Sequence, residues 1–95
     1  MVSWIEIIDC PGYEISSEGQ VRKVKTRRTL KPHLNRIGGY ERVDIGGRHR
    51  YIHRLVAENF FACGVRKSDK VMHKDGDRSN NHVNNLKIVK KIPHK

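Results

Sequence analysis

The sequence predicts an α+β fold in which short antiparallel strands precede and follow one central helix. Three observations predict it. Short runs of alternating apolar and polar residues recur between Gly, Pro and Asp breakers. One window alone places apolar residues at helical spacing. A Gly-Gly pair also separates two strand-like runs, as a tight hairpin requires. At 95 residues the chain supports one compact domain or two tightly joined subdomains, and is too short for two independent cores.

Trp4-Ile5-Glu6-Ile7-Ile8 is apolar and β-prone, and Cys10-Pro11-Gly12 breaks it. Tyr13 to Ser16 alternates, Ser17-Glu18-Gly19 turns, and Gln20 to Val24 alternates again, so an antiparallel meander is expected. Between Gly38-Gly39 and Gly46-Gly47, Val43 and Ile45 share one strand face while Arg42 and Asp44 share the other. Arg48 to Ile52 is the return strand, with Arg48 and Arg50 on the face opposite His49 and Tyr51. A two-stranded ribbon with arginines on one side can lie in a DNA groove.

His53 to Ala62 is the helix. Val56 and Phe60, and Ala57 and Phe61, are spaced i to i+4; Leu55 widens the stripe, and Gly64 is the expected stop. Val71-Met72-His73 follows as a short strand, then a long polar loop, and Lys87 to Lys91 as its partner strand. No period of 20 to 50 residues recurs, and no linker separates two domains.

Lys and Arg total 20 against 10 Asp and Glu, a net charge of +10. Such a field draws polyanions, which makes nucleic acid the first partner to consider. From Gly19 to Tyr40 there is no acid, while Arg22, Lys23, Lys25, Arg27, Arg28, Lys31 and Arg36 supply positive charge. One-signed clustering repels itself unless a polyanion relieves it, so these residues, with Arg48 and Arg50, are the expected contacts to double-stranded DNA. An anionic membrane would need a long apolar stretch or a basic helix with one strongly apolar face; neither is present, and no membrane partner is expected. Met1 to Asp9 has no basic segment followed by an apolar one, so a cytoplasmic location is expected.

Cys10 and Cys63 belong to no C-x-x-C pair and read as reduced, partly buried thiols. His33, His49 and His82 lack partner spacing for a metal and read as surface or DNA-backbone residues. The informative stretch is V-M-H-K-D-G-D-R-S-N-N-H-V-N-N-L, Val71 to Leu86. A strand-end histidine, an Asp-Gly turn and a dense asparagine loop exceed what a structural hairpin needs. Asparagines satisfy loop backbone and can hold a histidine in one tautomer and direction, and Asn80, Asn81 and Asn84 read as such structural residues.

With W-I-E-I-I-D-C-P-G-Y-E-I-S-S-E-G-Q-V-R (Trp4 to Arg22) upstream and H-R-L-V-A-E-N-F (His53 to Phe60) between, this pattern resembles the HNH nucleases of the phage and intron homing type. The resemblance covers nearly all of the chain. It implies residues 1–52 as a basic, β-rich DNA-binding module and 53–95 as a ββα-metal nuclease unit. It also implies a catalytic pair, His73 as general base and Asn85 as the asparagine that holds the histidine loop. A neutral imidazole accepts a proton near neutral pH, and one Mg²⁺ or Mn²⁺ is the implied cofactor.

Two departures accompany the resemblance. Met72 stands where relatives often carry a metal-binding Asp, and a thioether binds Mg²⁺ poorly, so Asp75 or Asp77 would substitute. The family's third position falls near His94, after Pro93, where few residues remain for a last helix. Two functions therefore stay open: a metal-dependent endonuclease, or an inactive relative docked on DNA or on a protein partner in a phage-infected cell. Target sequence, nick versus double-strand cut and oligomeric state are not encoded in these patterns.

Overall fold

The structure is a computed structural model that describes residues 2–34, 38–61, 64–66 and 68–90. Arg36, Ala62, Cys63, Lys91 and His94, which carry expectations above, lie outside the described residues.

The N-terminal meander consists of β1 (Trp4–Glu6), β2 (Tyr13–Ser16) and β3 (Val21–Lys23), antiparallel in that order. Its register sets Ile5 opposite Ile15 and Ile15 opposite Val21, so one face supplies core side chains. Arg22 faces away from that core. Its Nε donates to Glu14 Oε1 at 2.8 Å and its guanidinium lies 3.9 Å from the centroid of the Trp4 ring.

A second antiparallel sheet orders β4 (His33–Leu34), β5 (Glu41–Ile45) and β6 (Arg48–Tyr51). The expected hairpin is β5–β6, and the two-residue strand β4 adds an edge that periodicity did not predict. Gly46 and Gly47 both take positive φ, +58° and +76°, the geometry of a type I′ turn whose twist matches the strands. Val43 and Ile45 point into the core while Asp44 is exposed, as the alternation required.

β6 runs directly into α1 (Ile52–Phe60). The helix ends earlier than Gly64: Phe61 is extended (φ −88°, ψ 126°) and only its N–H still reaches Ala57 O. Gly64, at φ +71°, instead shapes the following turn, donating to Phe61 O at 3.1 Å. Phe60 and Phe61 both lie partly buried against the core.

The third sheet is the two-stranded pair β7 (Lys70–His73) and β8 (Leu86–Val89), with His73 opposite Leu86. A 3₁₀ turn, Val83–Asn85, precedes β8; His82 opens it by accepting Asn84 N–H on its ring Nδ1 at 3.1 Å. Helix α1 touches β2, β5, β6, β7 and β8, so a single core joins all three sheets through it. That core is Ile7, Ile15, Val21, Val43, Ile45, Ile52, Leu55, Val56, Ala57, Val71 and Leu86, with Cys10 at its edge. No described helix is long and apolar enough to cross a membrane.

Candidate active site

His73 ends β7, and its carbonyl accepts Gly76 N–H at 3.1 Å, which turns the chain sharply after the strand. The loop that follows is closed by Asn85. Lys74 N–H donates to Asn85 O at 2.7 Å, and Asp75 N–H donates to Asn85 Oδ1 at 3.2 Å. Asn85 Nδ2 donates to Asp75 Oδ1 at 2.9 Å and to Asn80 O at 2.8 Å. One amide therefore uses donor and acceptor on both ends of the loop, a task that no hydroxyl or aliphatic side chain performs.

The His73 ring is held by a different residue. Its Nε2 lies 2.8 Å from Asn81 Oδ1, and Asn81 Nδ2 donates to Glu41 Oε1 at 3.0 Å. Asn81 is 3% exposed, so its amide has to be satisfied inside the protein. The turn after β2 seals it: Gly19 packs so closely that a Cβ there would fall 2.6 Å from Asn81 Cβ. Val83 N–H donates to Ser17 O at 2.8 Å beside it. Burial raises the Glu41 carboxyl above its ordinary range, against the lowering effect of the Asn81 hydrogen bond.

Aromatic rings complete the surroundings. Tyr40 stacks on His53 at 4.8 Å between centroids, and His53 lies 5.2 Å from His73. His53 is buried at 7% exposure, and its Nδ1 has no hydrogen-bond partner among the described residues. Its pKa is lowered to about 4, first by burial, then by His73 and Arg54, so at neutral pH the ring is uncharged. Arg78 lies 4.5 Å above the Tyr40 ring and donates to Gly38 O. Tyr40, Val71, Met72, His73, Gly76 and Arg78 line one open pocket.

The carboxylates next to His73 serve the loop. Asp75 Oδ1 also accepts Asp77 N–H at 2.8 Å and its Oδ2 accepts Asn80 Nδ2 at 2.9 Å; these bonds, Asn80's first, lower its pKa. Asp77 Oδ1 accepts Ser79 Oγ at 2.6 Å and Ser79 N–H at 3.0 Å, and Ser79 lowers its pKa in turn. Among the described residues no group of three or more His, Cys, Asp or Glu is gathered as a metal site. With a thioether at Met72, the described side chains do not by themselves fit a hard divalent ion, which needs several oxygen ligands.

The basic residues divide into two sets. Lys23, Lys25, Arg27, Arg28 and Lys31 are exposed and form no ion pair among the described residues. Arg48, also exposed, lies 3.7 Å from Asp9. Arg22 is held by Glu14 and Trp4, and Arg50 by Asp9 at 3.1 Å and Glu58 at 2.9 Å with its side chain only 12% exposed. His49 pairs with Asp44 at the hairpin end. Sequence reasoning missed Glu41, Tyr40, His53 and Arg78 and assigned Asn81 only to the loop. A usable signal was that Glu41 is the first acid after the long basic run.

A meander, a Gly-turned hairpin and a helix feeding a histidine-ended ββ unit with an asparagine-locked loop make this chain similar to HNH homing endonucleases over the part compared. The NUMOD4 motif matches residues 3–46. Among relatives, DNA endonuclease I-HmuI of Bacillus phage SP01 is 36% identical over 93 residues, 93% of this chain and 52% of that protein. An uncharacterized HNH endonuclease, L247, of Acanthamoeba polyphaga mimivirus is 35% identical over 89 residues, 90% of this chain and 22% of its own length. The solved structure described as DNA binding and cleavage by the HNH homing endonuclease I-HmuI superimposes with a TM-score of 0.78 at 36% identity, covering 92% of this chain and 52% of the other. The chain thus spans about half of I-HmuI and about a fifth of the mimivirus relative.

Proposed function

We propose that this chain binds double-stranded DNA and hydrolyses a phosphodiester bond in it, with His73 as general base. The observation that carries the reading is a strand-end histidine whose ring is oriented by a buried amide and whose loop is locked by Asn85. His73 takes the proton of a water molecule as the water oxygen attacks phosphorus, the bond from phosphorus to the leaving sugar oxygen breaks, and that oxygen takes up a proton from solvent. Asn85 keeps the loop closed under the ring. The exposed Lys23, Lys25, Arg27, Arg28 and Lys31 neutralise phosphates of the duplex, and Arg48 on the β5–β6 hairpin supplies a further contact. The family resemblance implies one Mg²⁺ or Mn²⁺; no step here is routed through it. Action on DNA in a phage-infected bacterial cell, in the cytoplasm, is the corresponding setting.

A second reading has one observation in its favour: Met72 beside the base and loop-bound Asp75 and Asp77 leave the described site poor in hard ligands. In that reading the same scaffold binds DNA, or a protein partner, without cutting. A supercoiled-plasmid nicking assay with Mg²⁺ or Mn²⁺, run beside His73→Ala, decides between them. The hydrolytic reading expects nicking that falls about 10²- to 10⁴-fold in the variant. Wild type that leaves the plasmid supercoiled with either ion, while still binding it, establishes the second reading.

A further inference from the structure

We propose that Glu41, on a strand of the upstream sheet, sets the tautomer of the His73 ring through Asn81, leaving Nδ1 as the basic nitrogen. The inference rests on the hydrolytic reading of His73 only for its consequence in rate; the tautomer itself follows from hydrogen-bond chemistry.

An ionised carboxylate only accepts hydrogen bonds, so the atom that Asn81 turns toward Glu41 has to be its NH₂ group. The 3.0 Å contact between Asn81 Nδ2 and Glu41 Oε1 fixes the amide in that orientation. The other end, Oδ1, then faces His73 Nε2 at 2.8 Å and can only accept. A neutral His73 therefore carries its proton on Nε2, and its lone pair on Nδ1. Amide orientation in a buried site is assigned by such a network, and here the acceptor-only carboxylate at its far end removes the alternative.

Burial makes the device work. Asn81 is 3% exposed, so its amide depends on protein partners, and Gly19 closes over its Cβ. The Tyr40 and His53 rings flank His73 and restrict its rotation, with centroids 6.1 and 5.2 Å away. Asn81 and Glu41 touch no reacting atom in this scheme and are positioning residues. The orientation of the base in the C-terminal ββ unit thus depends on a side chain 40 residues upstream, which gives the two parts of the chain a chemical reason to remain together.

Glu41→Gln tests this with little change of shape, because a glutamine can donate as well as accept and frees the amide to turn over. The measurement is imidazole ¹⁵N NMR of the full chain at a pH where His73 is neutral. In wild type the expected signals are pyrrole-like for Nε2 and pyridine-like for Nδ1. In Glu41→Gln the two move toward each other as tautomers mix, and nicking falls about tenfold, a fraction of what general-base assistance supplies. Asn81→Ala removes both bonds and is expected to shift the same signals, which keeps the test open should Glu41→Gln fail to fold. A wild-type ring protonated on Nδ1, or ¹⁵N signals unchanged in both variants, overturns the proposal. Because the NMR signals are read without turnover, wild type that shows the Nε2–H form but nicks no plasmid defeats the hydrolytic reading and leaves this assignment supported.

Discussion

The rings of His53 and His73 lie 5.2 Å apart, and the first is buried, uncharged and stacked on Tyr40. Protonating His53 places a charge in the core beside His73. Its pKa is about 4 in the fold against 6.5 ordinarily, so between these values the unfolded chain binds the extra proton. The resulting stability is complete above the unfolded value and is lost as pH falls toward about 4, by at most on the order of 3 kcal/mol. Urea midpoints measured from pH 7 to 4.5 are expected to fall. Glu41, with a raised pKa, works in the opposite direction, so the informative comparison is His53→Phe. That variant keeps the stacked ring, removes the unpartnered Nδ1 and should show a flatter profile; an identical slope in both proteins contradicts the assignment.

Asn85→Ala removes two donated bonds and one accepted bond that close the His73 loop. At about 1 kcal/mol net for each hydrogen bond, a loss of roughly 2 to 3 kcal/mol is expected. The loop also holds His73, the proposed base, so nicking should fall further than the stability change explains. Melting temperature and nicking rate, taken below the melting transition, separate the two effects. Full activity in a protein that melts earlier would reduce Asn85 to a structural residue.

Gly19→Ala strikes the same site from the meander. Gly19 has φ +85°, a region that costs an L side chain about 1 kcal/mol or more, and its Cβ would overlap Asn81 Cβ. The new methyl group has to push Asn81 away from His73 or open the 17–19 turn. Expected outcomes are a lower melting temperature together with altered His73 ring signals. Gly12, also at positive φ but with nothing within 4 Å of a Cβ, is the control: Gly12→Ala pays the backbone term alone and should leave His73 unchanged.

Much of this fold was legible because strand and helix periods are local. Val43 and Ile45 announced their buried face by spacing alone, and Gly46-Gly47 announced the turn. Strand β4 escaped because two residues carry no period. The helix end was misread because Gly64 is a stop signal, while the backbone already turns extended at Phe61. In the site, His73 and Asn85 stood out by resemblance within one loop. The Glu41–Asn81 bond joins residues 40 positions apart, and no local pattern encodes such a partner. Arg50 was legible as a charge on a ribbon; that Asp9 and Glu58 already hold it depends on tertiary packing.

The two hairpin arginines should therefore respond differently. Arg48→Ala removes an exposed charge and is expected to weaken DNA binding and flatten the log-log salt slope by about 0.9 if it meets one phosphate. Arg50→Ala breaks pairs to Asp9 and Glu58, leaving Glu58 unmatched and Asp9 with Arg48 at 3.7 Å, so its main cost should be in stability, roughly 1 to 3 kcal/mol. Fluorescence-anisotropy titrations at several salt concentrations, with melting curves, resolve the pair. A large affinity loss for Arg50→Ala without destabilisation would mean that its guanidinium leaves the acids for DNA.

Met72 is the substitution site that addresses catalysis most directly. It stands next to His73 on β7, 46% exposed, with Lys87 opposite in the register. Exposure means that Met72→Asp buries no charge, and an aspartate across from Lys87 gains a favourable cross-strand partner, so stability should change by less than about 1 kcal/mol. The new carboxylate is not consumed by the loop, unlike Asp75 and Asp77, and so adds the free oxygen ligand that the described site lacks. The expected result is tighter Mn²⁺ binding by calorimetry and faster nicking with Mg²⁺. Chelator should abolish the gain, and His73→Ala in the same background should abolish it too. Tighter ion binding without faster nicking would show that the ion is held away from the bond being cut. A gain that survives His73→Ala would remove His73 from the role of base.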